Sequence, residues 1–189
     1  MSNSEQPTMM NCAMKLGLVL GGFYIVKFCL QVLCLYSVMA SLLFLGSAVL
    51  LPFFIFLLVL HYCNQFCGGR LGFSQAYIFS VLTVIFGSLL ASVAYYVYFA
   101  YIDGGAMVSA MAQSIEQLQS VDFATLEGID ADAITLFGQY IEIMQQAMQH
   151  LQAMSSVDMT LYLLNNNVCW GAILSLPIAF VVSLCKLIK

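Results

Sequence analysis

The sequence predicts an all-α membrane protein: four transmembrane helices with an exported amphipathic helical hairpin between spans three and four. Three observations predict it. The 189 residues are 62% hydrophobic and only 7% charged, whereas a soluble domain carries roughly 25% charged residues. A water-soluble fold of this size has too little interior to hide that much apolar surface. Four stretches are each apolar over about the 20 residues a helix needs to cross the hydrocarbon core, and the basic residues gather on one set of flanks.

The spans are taken in order. Residues 16–36 are interrupted only by Lys27 and Gln31, and residues 42–60 hold no charge and a single proline, Pro52. A membrane helix tolerates such a proline as a kink. Residues 75–101 are uncharged and longer than a bilayer demands, so this span tilts or protrudes. Residues 168–187 begin near Trp170 and contain Pro177. The organisation that follows is a cytoplasmic tail at 1–15, spans one to three within 16–101, an exported acidic segment at 102–167, and span four with a short cytoplasmic tail at 168–189. Val38-Met39-Ala40 has the small-residue character of a signal-peptidase site. The preceding apolar stretch is longer than a signal core and is divided by Lys27, so span one is read as retained.

Orientation follows from lysine and arginine, which are kept on the cytoplasmic side. Lys15 precedes span one, Arg70 lies between spans two and three, and Lys186 and Lys189 close the chain, while residues 102–167 contain neither Lys nor Arg. Four crossings put all the basic flanks on one side, so charge and parity agree that both termini are cytoplasmic. Tyr36, Tyr95, Tyr96, Tyr98, Tyr101, Tyr162 and Trp170 then fall at the outer interface, where such side chains concentrate. The net charge of −4 is uneven, because the acids lie mostly between Asp103 and Asp158.

The loop between spans two and three carries His61, Cys63 and Cys67, three soft ligands without a fourth and with no standard zinc spacing. It is read as an interfacial turn, with no metal and no cofactor assigned, and Ser74 as the cap of the third helix. The seven cysteines sit mostly within or beside apolar runs, as small hydrophobes do. In the exported segment Met107, Met111, Ile115 and Leu118 recur at helical spacing, so the third helix is expected to continue past Asp103 and its two glycines. A break follows over residues 120–130, with Asp130 as the cap of a second helix. Ile134, Phe137, Ile141, Met144, Met148 and Leu151 then form an exported apolar seam at three-four spacing. Packing of the two stripes on each other is the plainer reading. Reception of a partner by a methionine-rich surface is the sharper one.

Within the spans Lys27 is the single ionisable residue at depth. It snorkels, pairs with Asp103 as its ion-pair partner, or attracts an anion or a partner. Small residues mark helix packing: Gly17 and Gly21 in span one, Gly87 and Ala91 with Ser88 and Ser92 in span three, and Gly171, Ser175, Ala179 and Ser183 in span four. No nucleophile with a base, no phosphate loop and no paired intramembrane carboxylates occur, so an enzyme is not expected.

The run Gly69-Arg70-Leu71-Gly72-Phe73-Ser74-Gln75-Ala76-Tyr77, followed by a tyrosine-rich third span ending Tyr101-Ile102-Asp103, resembles the domain-of-unknown-function family numbered 4199 over nearly the whole chain. Relatives often carry proline after that aspartate, where this chain has Gly104. The resemblance implies a small inner-membrane protein of Bacteroidota, with no known activity and no catalytic residue to carry over. It also implies proximity to genes of envelope glycosylation. The function expected is a non-enzymatic accessory or scaffold subunit of the inner (cytoplasmic) membrane, contacting the lipid bilayer and a protein partner or a second copy, and no nucleic acid. The alternative is a channel or transporter component in which Lys27 attracts anions.

Overall fold

The computed structural model describes residues 8–119 and 131–185. Six helices follow one another, with no strand among the described residues: α1 Met9–Leu33, α2 Val38–Phe66, α3 Phe73–Tyr101, α4 Ala106–Gln119, α5 Ala131–Gln152 and α6 Ser156–Cys185. α1, α2, α3 and Ser156–Leu184 of α6 are long and apolar enough to cross a bilayer. The outward face of α2, with Leu42, Leu45, Val49, Phe53 and Leu57 each more than half exposed, leaves apolar surface that only lipid or another apolar face can cover. The chain is a multi-pass membrane protein.

The helices overrun the apolar stretches because backbone hydrogen bonding continues wherever a terminator is lacking. α1 starts at Met9 rather than residue 16, and α6 starts at Ser156, well before residue 168. Glycine ends two of the four spans. After α2, Gly68 and Gly69 adopt φ of 59° and 75°, a region that costs a residue with a Cβ, and the Cys63 carbonyl accepts from the amides of Cys67 and Gly69. After α3, Gly104 and Gly105 adopt φ of 53° and 84°. The third helix therefore stops at Tyr101 and does not continue past Asp103, contrary to the periodicity, because the two glycines leave the right-handed helical conformation before α4 begins. Ser74 does not cap α3 either: the helix starts at Phe73, and Ala76 N–H donates to the Gly72 carbonyl at 2.9 Å.

The chain divides into two compact units, Met1–Tyr95 with Thr160–Lys189, and Tyr96–Met159. In the first, side-chain pairs set the direction of every helix. Phe23 stacks on Phe54, and Lys27 lies over Phe44, so α1 and α2 are antiparallel. Gly17 lies against Thr83 and Phe86, and Gly21 against Gly87 and Leu90, so α1 and α3 are parallel. Gly171 lies against Val84, Ser175 bonds Ser80, and Asn167 bonds Tyr95, so α6 runs against α3. The start of α1, the α2–α3 turn and the end of α6 thus share one end of an up-down-up-down bundle. α3 is its hub, with 44% of its span buried against 28% for each of the others. Leu71 in the α2–α3 turn is buried, and Tyr62 stacks on Phe79 with ring centroids 3.8 Å apart, which seals that end.

In the second unit α4 and α5 pack through Ile115, Ile141 and Met148, flanked by Met111, Phe137 and Met144. Val108 and Ser109 near the start of α4 line one cavity with Leu151 and Gln152 at the end of α5, so the pair is antiparallel. Leu118 stays exposed rather than joining this seam. Asp130 and the side chain of Ile134 lie outside the described residues.

The α1–α3 contact carries a sharp expectation. A Cβ on Gly21 would meet Leu90 Cδ2 at 2.8 Å and the Gly87 carbonyl oxygen at 2.9 Å, whereas one on Gly22 would meet nothing within 4 Å. Gly21→Ala should lower stability in mild detergent by about 1–3 kcal/mol, the usual cost of overpacking. Gly22→Ala should leave the thermal midpoint unchanged or raise it, because alanine is the better helix former. Equal midpoints for the two variants would contradict the packing described.

Candidate functional site

Four places hold side chains beyond simple packing. The first is the interior of the four-helix bundle, where α3 turns Ser80, Thr83, Ser88 and Tyr95 inward. Ser175 on α6 donates its hydroxyl to the Gly171 carbonyl at 2.7 Å. With its single proton so used, it accepts from Ser80 across the helix pair at 2.7 Å. Thr83 donates back to the Phe79 carbonyl at 2.8 Å. One end of the interior is tied by Asn167, whose amide donates to the Tyr95 hydroxyl at 3.0 Å, with the Tyr95 ring 4.5 Å from Phe28. The Tyr24 hydroxyl and Ser88 Oγ are buried close to each other, short of a well-formed hydrogen bond. Among the described residues of this unit, no carboxylate, imidazole or amine is fully buried. Hydroxyls and glycines of this kind hold helices together where lipid removes the hydrophobic driving force, and they offer no acid–base pair for chemistry.

The small-residue stripes meet partners here. Gly17 and Gly21 face Gly87. Gly171, Ser175 and Ala179 turn to the interior, where Gly171 packs on Val84 of α3 and Ala91 is fully buried. Ser183, half-buried, returns its hydroxyl to the Phe180 carbonyl.

The second place is Lys27. Its ammonium stands 5.7 Å over the Phe44 ring centroid, an attraction of about 0.5–1 kcal/mol for an accessible pair. Among the described residues it forms no ion pair. Asp103, the acid that the sequence offers as its partner, is buried, and it spends both carboxylate oxygens on backbone amides. Oδ2 accepts from Gly105 N–H at 3.2 Å and Oδ1 from Met107 N–H at 3.0 Å. It is thereby the cap of α4, placed where a negative charge meets the positive end of the helix.

The third place is the helix pair of the second unit. Ser155 and Asp158 form a reciprocal cap at the start of α6. The Ser155 hydroxyl and amide donate to Asp158 Oδ2 at 2.6 and 3.2 Å, and Asp158 N–H donates to Ser155 Oγ at 3.2 Å. This serine-x-x-aspartate spacing was legible in the sequence and is the signal that α6 begins so early. Ser156 Oγ donates to the Phe99 carbonyl at 3.1 Å and ties the start of α6 to the end of α3. A cavity of about 290 Å³ opens beside these caps, lined by Asp103, Ser109, Gln152, Ser155 and Met159 among others.

The fourth place is the α2–α3 turn. His61 is exposed, Cys63 is buried and Cys67 is half-buried. Among the described residues no group of three His, Cys, Asp or Glu side chains is placed to hold a metal ion. The pairs Ser80–Ser175 and Tyr95–Asn167 were not anticipated from the sequence, because residues so far apart carry no local signal of meeting.

Asp103 permits a direct check. Asp103→Ala removes the α4 cap and should cost that helix about 0.5–2 kcal/mol, read as faster amide hydrogen exchange over residues 106–110 with exchange in α1 unchanged. Exchange that is unaltered in α4 would show the cap to be idle.

The family model described as "Protein of unknown function (DUF4199)" matches residues 15–183. No curated protein and no solved structure matches the chain. The matched range runs from the first helix to the last, through the α2–α3 turn whose Gly69-Arg70-Leu71-Gly72-Phe73 run carries the left-handed glycine and the buried leucine. The chain belongs to the DUF4199 family of proteins of unknown function.

Proposed function

We propose that the protein is a non-enzymatic accessory or scaffold subunit of the bacterial inner membrane. In this reading both termini and the α2–α3 turn face the cytoplasm, and α4 and α5 are exported. One observation carries it. α5 satisfies one apolar face against α4 through Phe137, Ile141, Met144 and Met148. It nevertheless leaves a second row of Leu136, Tyr140 and Ile143 at 65%, 57% and 64% exposure. These lie at i, i+4 and i+7, the spacing by which a helix face is read by a partner. A soluble helix pair gains nothing from a second apolar row unless something covers it.

The remaining surface supports protein recognition rather than attachment to anionic lipid. Neither helix carries lysine or arginine, the residues that hold amphipathic helices on membrane surfaces. The four-helix bundle offers hydroxyls and glycine contacts rather than a reactive centre. α3 packs closely on both α1 and α6 through glycines, which suits a packed bundle rather than a pore lining. An envelope assembly or glycosylation pathway is the setting proposed for the partner.

A photo-crosslinking residue placed at Tyr140 in native membranes tests this. The expected product is one stoichiometric protein adduct, absent when the probe replaces Gln149, which is exposed and lies on the opposite side of α5 from Tyr140. Adducts at Tyr140 consisting only of lipid, or none at all, would contradict a scaffold role.

A further inference from the structure

A cavity of about 290 Å³ lies within the second unit, where α3 ends and α6 begins. That volume suits a small group rather than a large ligand. Its lining holds one charged side chain, Asp103, which is only 7% exposed. A carboxylate so buried is costly unless a positive charge meets it. Residues 96–159 contain eight of the nine acids and none of the five basic residues of the chain, so the unit has no lysine or arginine to offer. The start of α4 offsets only part of the charge on Asp103, because a helix N-terminus carries about +0.5. The start of α6 contributes as much again, against a full negative charge on its cap Asp158. Two helix starts and two carboxylates together leave roughly one negative charge beside the cavity.

The hydrogen bonds of the lining favour the same sign of ligand. Asp103 accepts one amide at each oxygen, and a carboxylate has about four acceptor sites, so about two remain. Ser109 donates its only proton to the Ala106 carbonyl at 2.9 Å, and Ser155 donates its own to Asp158 Oδ2 at 2.6 Å. Toward a ligand both hydroxyls can therefore only accept. Gln152 is the lining side chain that keeps donors of its own. Acceptors beside a net negative charge call for a cation that carries several N–H groups. Val108, Leu151 and Met159 supply apolar lining beside them, which suits a short aliphatic chain.

We propose that this cavity binds a primary ammonium group on a short aliphatic chain, with Asp103 as its counter-charge and Ser109 and Ser155 as further acceptors. Two sources carry that group: the headgroup of phosphatidylethanolamine, found at the level where membrane spans end, and a free amine such as ethanolamine. The site does not rest on the accessory role proposed above.

Native mass spectrometry of the full chain in neutral detergent, titrated separately with phosphatidylethanolamine and phosphatidylcholine, tests the proposal. Both lipids are zwitterionic, but the quaternary ammonium of the second has no N–H to donate. A hydrogen bond to a charged group corresponds to a preference of about tenfold or more. The wild type should retain phosphatidylethanolamine about tenfold more readily, and Asp103→Asn should lose that preference. This variant should fold, because asparagine caps a helix as well as aspartate does. Absence of a lipid preference, with millimolar ethanolamine raising the thermal midpoint of the wild type but not of Asp103→Asn, would support the ammonium site and assign it to a free amine. Equal retention of the two lipids together with no response to ethanolamine would overturn the site. So would either response persisting undiminished in Asp103→Asn.

Discussion

In lipid, helices gain little from burying leucine, so their association rests on how closely their backbones approach. α1 and α3 approach until a Cβ on Gly87 would lie 3.1 Å from the Gly17 carbonyl oxygen and 3.2 Å from the Gly21 nitrogen. α2 returns between them along the chain, which makes α1 and α3 parallel, and the glycines set how closely the two approach. With α3 held against α1, its other inward residues, Val84 and Ser80, receive Gly171 and Ser175 of α6. The start of α1 and the end of α6 share one end of the bundle because four crossings alternate in direction.

Much of this was legible in the sequence. Four apolar runs and a basic residue on alternate flanks indicate four crossings, and glycine and serine at four-residue spacing indicate close helix approach. The partner of each stripe was not legible. Gly17 and Gly21 announce a near neighbour without saying that it is α3 rather than another span or a second copy. The end of α3 was misread because Met107, Met111 and Ile115 continue its apolar period. Two glycines with positive φ and the Asp103 cap override that period by closing the helix locally. Leu118 fits the same period and stays exposed, since the seam closes through Met111 and Ile115.

The bundle interior holds hydroxyls and glycines that join the helices. Buried hydroxyls bond neighbouring carbonyls or one another, with Tyr24 and Ser88, close to each other but short of a well-formed hydrogen bond, as the exceptions. The features that reach outward are different in kind. A second apolar row on α5 stands about a quarter of a turn from the first and stays exposed, and Lys27 forms no ion pair among the described residues. They lie in different units of the chain.

Everything proposed for α4 and α5 depends on their standing across the bilayer from both termini. In a chain whose seven native cysteines are replaced, single cysteines at exposed Gln139 on α5 and exposed Asn64 in α2 can be labelled with a membrane-impermeant thiol reagent. With the outer surface of the inner membrane accessible and the cytoplasm sealed, the account predicts labelling of Gln139→Cys at once and of Asn64→Cys only after lysis. The reverse order, or labelling of both positions from one side, would contradict it.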